Sequence, residues 1–193
     1  MHPSYLYTVP LFHCNGWGHA WTMTALAGKI VCCRQVSAMA IYDAINTQKV
    51  THLGGAPIIL GMIINAESSD RKEFSHTVEI MTAGAPPPAA ILEGIEKLGF
   101  NVTHVYGLTE TYGHAVMCFW QDQWDDTDFT QRAVIKARQG VAMTATESTR
   151  VVDLNTREDV PKDGKTIGEI VLQGNTIMKG YLKNKEATAE AFE

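Results

Sequence analysis

From Thr77 to Val105 the chain writes an apolar strand, a proline-started helix with a glycine stop, and a second apolar strand. Two strands joined through a helix are expected to run parallel, because parallel partners need a long crossover, usually a helix, whereas antiparallel ones can be joined by a tight turn. Thr77 to Ala83 breaks at Gly84-Ala85-Pro86-Pro87-Pro88. Pro88 suits the first helical turn, where its fixed φ fits and its missing N–H is not needed. The helix presents Ile91, Ile95 and Leu98 at i, i+4 and i+7, and Gly99 ends it before Val102 to Val105.

The same grammar precedes this unit. Tyr5 to Phe12 reads as a strand entering a loop at His13 to Gly16, and Trp17 to Leu26 as a helix stopped by Gly28. Lys29 to Cys33 follows as a short buried strand. Ser37 caps a helix whose apolar face carries Met39, Ile41 and Ile45. Val50 to Leu53 is a further strand, and Pro57 opens a helix through Ile64. After Gly113 the pattern changes. A short helix over Thr130 to Arg138 leads to antiparallel segments at Thr149–Leu154 and Gly168–Gly174, then to a helix from Lys185 to Phe192. The fold class expected is α/β: a mostly parallel sheet covered by helices over residues 1–125, followed by a partial β-rich subdomain over 126–193.

Composition narrows the function classes. Sixteen basic against 21 acidic residues give a net charge of −5, with no Lys/Arg cluster, which argues against a nucleic-acid surface. No apolar run reaches membrane-spanning length, and no charged leader precedes an apolar core, so the expected location is cytoplasmic. Cys14, Cys32, Cys33 and Cys118 lack metal-ligand spacing and read as buried reduced thiols. The seven histidines form no metal-binding pair, and no structural metal is expected.

Ligands of open α/β sheets bind outside the carboxyl ends of the strands. Two loops sit there: Ala83 to Pro88 and Tyr106 to Thr111. In the first, Gly84 and Ala85 lack bulk, so a flat ring could slide against the backbone; a plain turn into the next helix is the alternative. In the second, Tyr106 could cover a base, Thr109 could donate to a phosphate, and Glu110 could hold Mg²⁺, a hard cation that takes oxygen ligands. A helix start capped by Thr109 is the alternative there. A third cluster runs Pro10-Leu11-Phe12-His13-Cys14-Asn15-Gly16-Trp17, whose aromatics suit either core or the wall of an apolar pocket.

Read together with Gly168-Glu169-Ile170 and Gly180-Tyr181, these strings resemble the adenylate-forming superfamily, and within it the medium- and long-chain fatty acyl-CoA synthetases. Tyr-Gly-Leu-Thr-Glu-Thr at 106–111 is the most specific of them. The resemblance covers essentially the whole chain and implies part of the large N-terminal domain of such enzymes. It also implies two half-reactions: a carboxylate attacks the α-phosphate of ATP, then a thiol, usually of coenzyme A, takes the acyl group. Under it, Tyr106 stacks on adenine with Gly107 beside it, and Gly84, Ala85 and Pro86 line the other side of the base. Thr109 contacts the α-phosphate and Glu110 coordinates Mg²⁺, making these two the expected catalytic pair. His13 borders the acyl tunnel and Trp17 gates it. The implied ligands are ATP or AMP, Mg²⁺, a fatty acid, and coenzyme A as co-substrate.

The family's Gly/Ser/Thr-rich phosphate loop with its lysine, its ribose-binding Thr-Gly-Asp and its small C-terminal domain find no match in these residues. The 193 residues are therefore expected to be the central portion of a ligase and not competent alone, though able to bind adenine nucleotide weakly. An exposed apolar sheet face would favour self-association into a homo-oligomer. Competing readings are a non-catalytic nucleotide- or acyl-binding module, and an adenylation unit that uses an acceptor other than coenzyme A.

Overall fold

A computed structural model describes residues 2–192 of the chain. Strands β1 (Ser4–Tyr7), β2 (Lys29–Cys32), β3 (His52–Gly55), β4 (Val78–Thr82) and β5 (Phe100–Leu108) are mutually parallel where they pair. Strand β6 (Gly113–Met117) adds antiparallel to β5 and β7 (Val141–Ala142) antiparallel to β6, completing a seven-stranded sheet in the order β2-β1-β3-β4-β5-β6-β7. A second, two-stranded antiparallel sheet pairs β8 (Thr146–Val152) with β9 (Glu169–Gly174). The mostly parallel sheet covered by helices, with an antiparallel sheet following it, is the architecture expected from the sequence.

Side chains alternate across a strand, so the register puts Leu6, Leu53, Ile80 and Val102 on one face. Three helices bury that face: α2 (Ala38–Gln48) with Ile41 and Ile45, α3 (Pro57–Ile64) with Leu60 and Ile63, and α4 (Ala89–Glu96) with Leu92 and Ile95. Each of these six side chains is fully buried. Helix α1 (Cys14–Ala25) lies against the opposite face, where Met23 packs on Tyr5 and Tyr7. Its cover is partial, and Trp21, Leu26 and Ile30 stay exposed. Helix α5 (Phe129–Lys136) packs on α4 and β5, and α6 (Lys185–Ala191) closes the described chain. Among the described residues no helix is long and apolar enough to cross a membrane.

Local signals decide most of the boundaries. Ser37 Oγ accepts from the Ala40 N–H at 3.1 Å, capping α2, and Asp128 does the same for α5 from the Gln131 N–H at 2.8 Å. Pro57 begins α3, while Pro88 sits one residue before α4. Several expectations shift. Strand β2 is a sheet edge, so Ile30 and Cys32 are exposed where a buried strand was expected, and Cys118 is the one buried thiol of the four. Met39 is half exposed because α2 buries the stripe through Ala38, Ile41, Tyr42 and Ile45. Leu92 and Ile95, rather than Ile91 and Leu98, form the most buried part of α4.

Candidate functional site

Strands β4 and β5 lie side by side with Thr82 opposite His104, so the loop Ala83–Pro88 and the stretch from Tyr106 leave neighbouring strands at the same edge. Gly84 takes φ +88°, a left-handed conformation that an L side chain resists, and open space surrounds the position a Cβ would take. Gly84, Ala85 and Pro86 are exposed, whereas Pro87 is buried and anchors the loop. The backbone of 84–86 is therefore free to lie along a flat ligand.

The second stretch departs from a strand–turn–helix. Strand β5 runs on through Tyr106 and Gly107 to Leu108, and Thr109–Thr111 forms a single 3₁₀ turn that reverses the chain into β6. Thr109 is therefore not the cap of an α-helix. The register slips between Tyr106 and Gly107, and a Cβ on Gly107 would lie 1.8 Å from Gly113 O. Only glycine lets the two strands cross that closely. Thr111, buried, ties the turn: its hydroxyl accepts from the Leu108 N–H at 3.0 Å and donates to Gly113 O at 2.6 Å. Its neighbours are left outward, with Tyr106 half-buried and Thr109 exposed.

Glu110 is half-buried and has one hydrogen-bonding side-chain partner among the described residues. The Tyr181 hydroxyl donates to its Oε1 at 2.8 Å, and that carboxylate raises the Tyr181 phenol above its ordinary pKa. The Met178 N–H donates to the Glu110 carbonyl at 2.8 Å. Glu110, Leu108, Met178 and Tyr181 line a cleft of about 420 Å³ between the 3₁₀ turn and the small sheet, shared with Arg157 and Glu169. The Glu110 carboxylate is a hard oxygen donor with its second oxygen outside any protein hydrogen bond among the described residues. Among the described residues no group of three or more His, Cys, Asp or Glu side chains is placed to hold a metal there. One carboxylate with open space beside it suits Mg²⁺, which keeps waters and phosphate oxygens as its other ligands.

Helix α1 reaches this turn from the other side. Trp17 meets Tyr112 edge-on, with ring centroids 4.8 Å apart, and Cys14 stands 3.6 Å from where a Gly113 Cβ would be. Trp17 is thus brought to the 106–113 stretch. His13, exposed at the start of α1, packs its ring on Phe12 at 4.4 Å. Deeper along α1, Asn15 accepts from the Tyr5 hydroxyl at 3.0 Å, and His19 stacks on the Tyr5 ring at 4.4 Å. Burial holds the His19 imidazole below its ordinary value, aided by His52 and opposed by the bond to Asn15 O. Burial likewise raises the Tyr5 phenol, with the Asn15 bond working against it.

Two of these features escape sequence reasoning. The Tyr181–Glu110 bond joins residues 71 apart; Gly180-Tyr181 stands out as a motif, but nothing in it names its partner. The structural use of Thr111 is hidden because three hydroxyl and carboxyl residues in a row look equally available.

Comparison with known proteins follows this geometry. The model of the family described as AMP-binding enzyme matches residues 1–182. The peroxisomal acetate/butyrate–CoA ligase of Arabidopsis thaliana is 48% identical over 189 residues, covering 97% of this chain and 33% of that protein. The 2-methylpropanoate–CoA ligase of Humulus lupulus is 48% identical over 190 residues, covering 98% and 34%. The chain thus spans about a third of the length of the curated relatives it matches. Among solved structures, O-succinylbenzoate coenzyme A synthetase from Bacillus subtilis in complex with AMP overlays with a TM-score of 0.77 at 20% identity, over 100% of this chain and 36% of that one. The same enzyme with ATP and magnesium ion gives 0.76 at 20% identity, over 100% and 37%. These overlays show the fold of adenylate-forming enzymes. By the match over nearly all of its residues, the chain belongs to the AMP-binding enzyme family.

Proposed function

We propose that this chain is the nucleotide-gripping core of an ATP-dependent ligase that joins a small carboxylic acid to coenzyme A. The observation that carries the reading is the side-by-side delivery of the 84–88 loop and the 106–111 turn by two parallel strands, with Glu110 beside them. Gly84, Ala85 and Pro86 take one face of adenine, and Tyr106 with Gly107 the other. Thr109, exposed on the turn, donates its hydroxyl to the α-phosphate. Glu110 holds Mg²⁺, which when bound neutralises phosphate charge. A carboxylate oxygen of the acid attacks the α-phosphorus, the bond to the bridging oxygen breaks, and pyrophosphate leaves. The coenzyme A sulfur then attacks the acyl carbon, and AMP leaves with the bonding pair. Holding donors where charge develops is the main contribution of such a site, together with positioning.

The acid is proposed to be short. The sequence resemblance points to medium- and long-chain fatty acids, with His13 beside the acyl tunnel and Trp17 at its gate. The relatives are named for acetate, butyrate, 2-methylpropanoate and benzoate, all smaller. Trp17, braced on Tyr112 next to the turn, fits a short tunnel. Some relatives carry peroxisomal names, so fractionation has to weigh the peroxisome against the cytoplasm. The 193 residues alone are proposed to bind nucleotide without turnover.

Acid-dependent exchange of labelled pyrophosphate into ATP by the full-length protein tests the reading, run across acids from acetate to palmitate with coenzyme A added in parallel. Exchange that peaks with short acids is expected, and Glu110→Gln should lower it about 100-fold. No exchange with any acid, while ATP still binds, would favour a non-catalytic module. Exchange without acyl-CoA would favour another acceptor.

A further inference from the structure

We propose that Tyr181 is a positioning residue that sets the Glu110 carboxylate for cation binding. This rests on the reading of Glu110 as the cation ligand.

The 3₁₀ turn is fixed by Thr111, but that clip holds backbone and leaves the Glu110 side chain its own rotamers. Of two contacts from the β9–α6 segment, one adds a further backbone tie and the other removes that freedom. The Met178 N–H holds the Glu110 carbonyl and the Tyr181 hydroxyl holds Oε1, each at 2.8 Å. Tyr181 is itself preset. Its N–H donates to Thr188 Oγ1 at 2.9 Å, and Thr188 Oγ1 donates to Asn184 O at 2.7 Å. Gly180, at φ +144°, lets the Thr188 methyl stand 2.6 Å from where its Cβ would be. The phenol therefore stands on a braced base.

Burial does not force this bond. Tyr181 is 40% exposed, and water could satisfy its hydroxyl. A phenol that donates to one carboxylate oxygen fixes the plane of the group and leaves the other oxygen to the cleft. That is the arrangement by which an outer partner orients a metal ligand, and loss of such a partner weakens metal binding about 10- to 100-fold.

Manganese binding to the full-length protein, read by the electron paramagnetic resonance of free Mn²⁺ with a non-hydrolysable ATP analogue present, tests this directly. Tyr181→Phe is expected to raise the Mn²⁺ dissociation constant at least tenfold, with analogue affinity in EDTA and thermal midpoint unchanged. Glu110→Gln should lose the site, and the double variant should bind no worse than Glu110→Gln. Wild-type Mn²⁺ affinity in Tyr181→Phe, alongside loss in Glu110→Gln, would overturn the proposal and leave the ligand reading standing. Unchanged affinity in Glu110→Gln would overturn that reading. A weakened site that comes with a lowered thermal midpoint or weaker analogue binding in EDTA would make Tyr181 merely structural and also overturn the proposal.

Discussion

Replacing Lys136 by methionine should cost this fold about 3 kcal/mol, because removing one member of a buried ion pair strands the other. Lys136 on α5 pairs with Glu96 on α4, and both side chains are only 5% exposed. Its ammonium also donates to Asn101 Oδ1 at 2.7 Å, and Asn101 in turn donates to Glu79 at 2.7 Å. The chain of bonds ties α5 and α4 to the starts of β4 and β5. Without Lys136, Glu96 keeps, among the described residues, only Arg132, whose Nε lies 3.9 Å from Oε2, beyond hydrogen-bonding reach. That residual attraction places the loss near the lower end of the usual ~3–5 kcal/mol for a broken buried pair. Urea unfolding followed by far-UV circular dichroism measures it, and a parallel thermal melt should drop by roughly 6–12 °C for a chain of this size. Glu96→Leu alone should cost a similar amount. The double variant should cost less than the sum by at least ~1 kcal/mol, since neither charge is then left bare. A loss under about 1 kcal/mol for Lys136→Met, or strict additivity in the double variant, would refute the pair as a structural tie.

Gly107→Ala should destabilise by at least about 2 kcal/mol and lower nucleotide affinity, because its Cβ meets Gly113 O and the β5–β6 turn must open; a neutral melt would contradict the register described. Stability should fall as pH drops below the ordinary histidine value of 6.5, because His19 is held neutral by burial and the unfolded chain then binds the extra proton. The sign follows from a folded pKa below the unfolded one: the contribution is complete above 6.5 and is lost as pH falls toward the folded value. Denaturant midpoints across that window check it, and His19→Gln should flatten the slope.

The parallel sheet was legible because strands such as β3 and β4 run into glycine and proline, and helices α2 and α3 open on signals that the residues display, at Ser37 and Pro57. Burial on the sheet edge was not. Ile30 and Cys32 look like core until strand order puts β2 outermost, and strand order is a tertiary fact. The stretch 106–113 showed its chemistry but not its shape, since Tyr-Gly-Leu-Thr-Glu-Thr suits a helix start as well as the hairpin it forms. Gly107 was the clue, needed for contact with a residue six positions on. Partners far apart in sequence, such as Glu96 with Lys136 and Glu110 with Tyr181, leave no local trace at all.

The central claim is that adenine lies between the 84–86 backbone and Tyr106. Photolabelling of the full-length protein with an ATP analogue carrying an azide on the base, followed by peptide mass spectrometry, tests that placement directly. Label on the peptides holding Gly84–Pro86 or Tyr106, lost when excess ATP is added, is the predicted result. ATP-protected label confined to peptides elsewhere would contradict it.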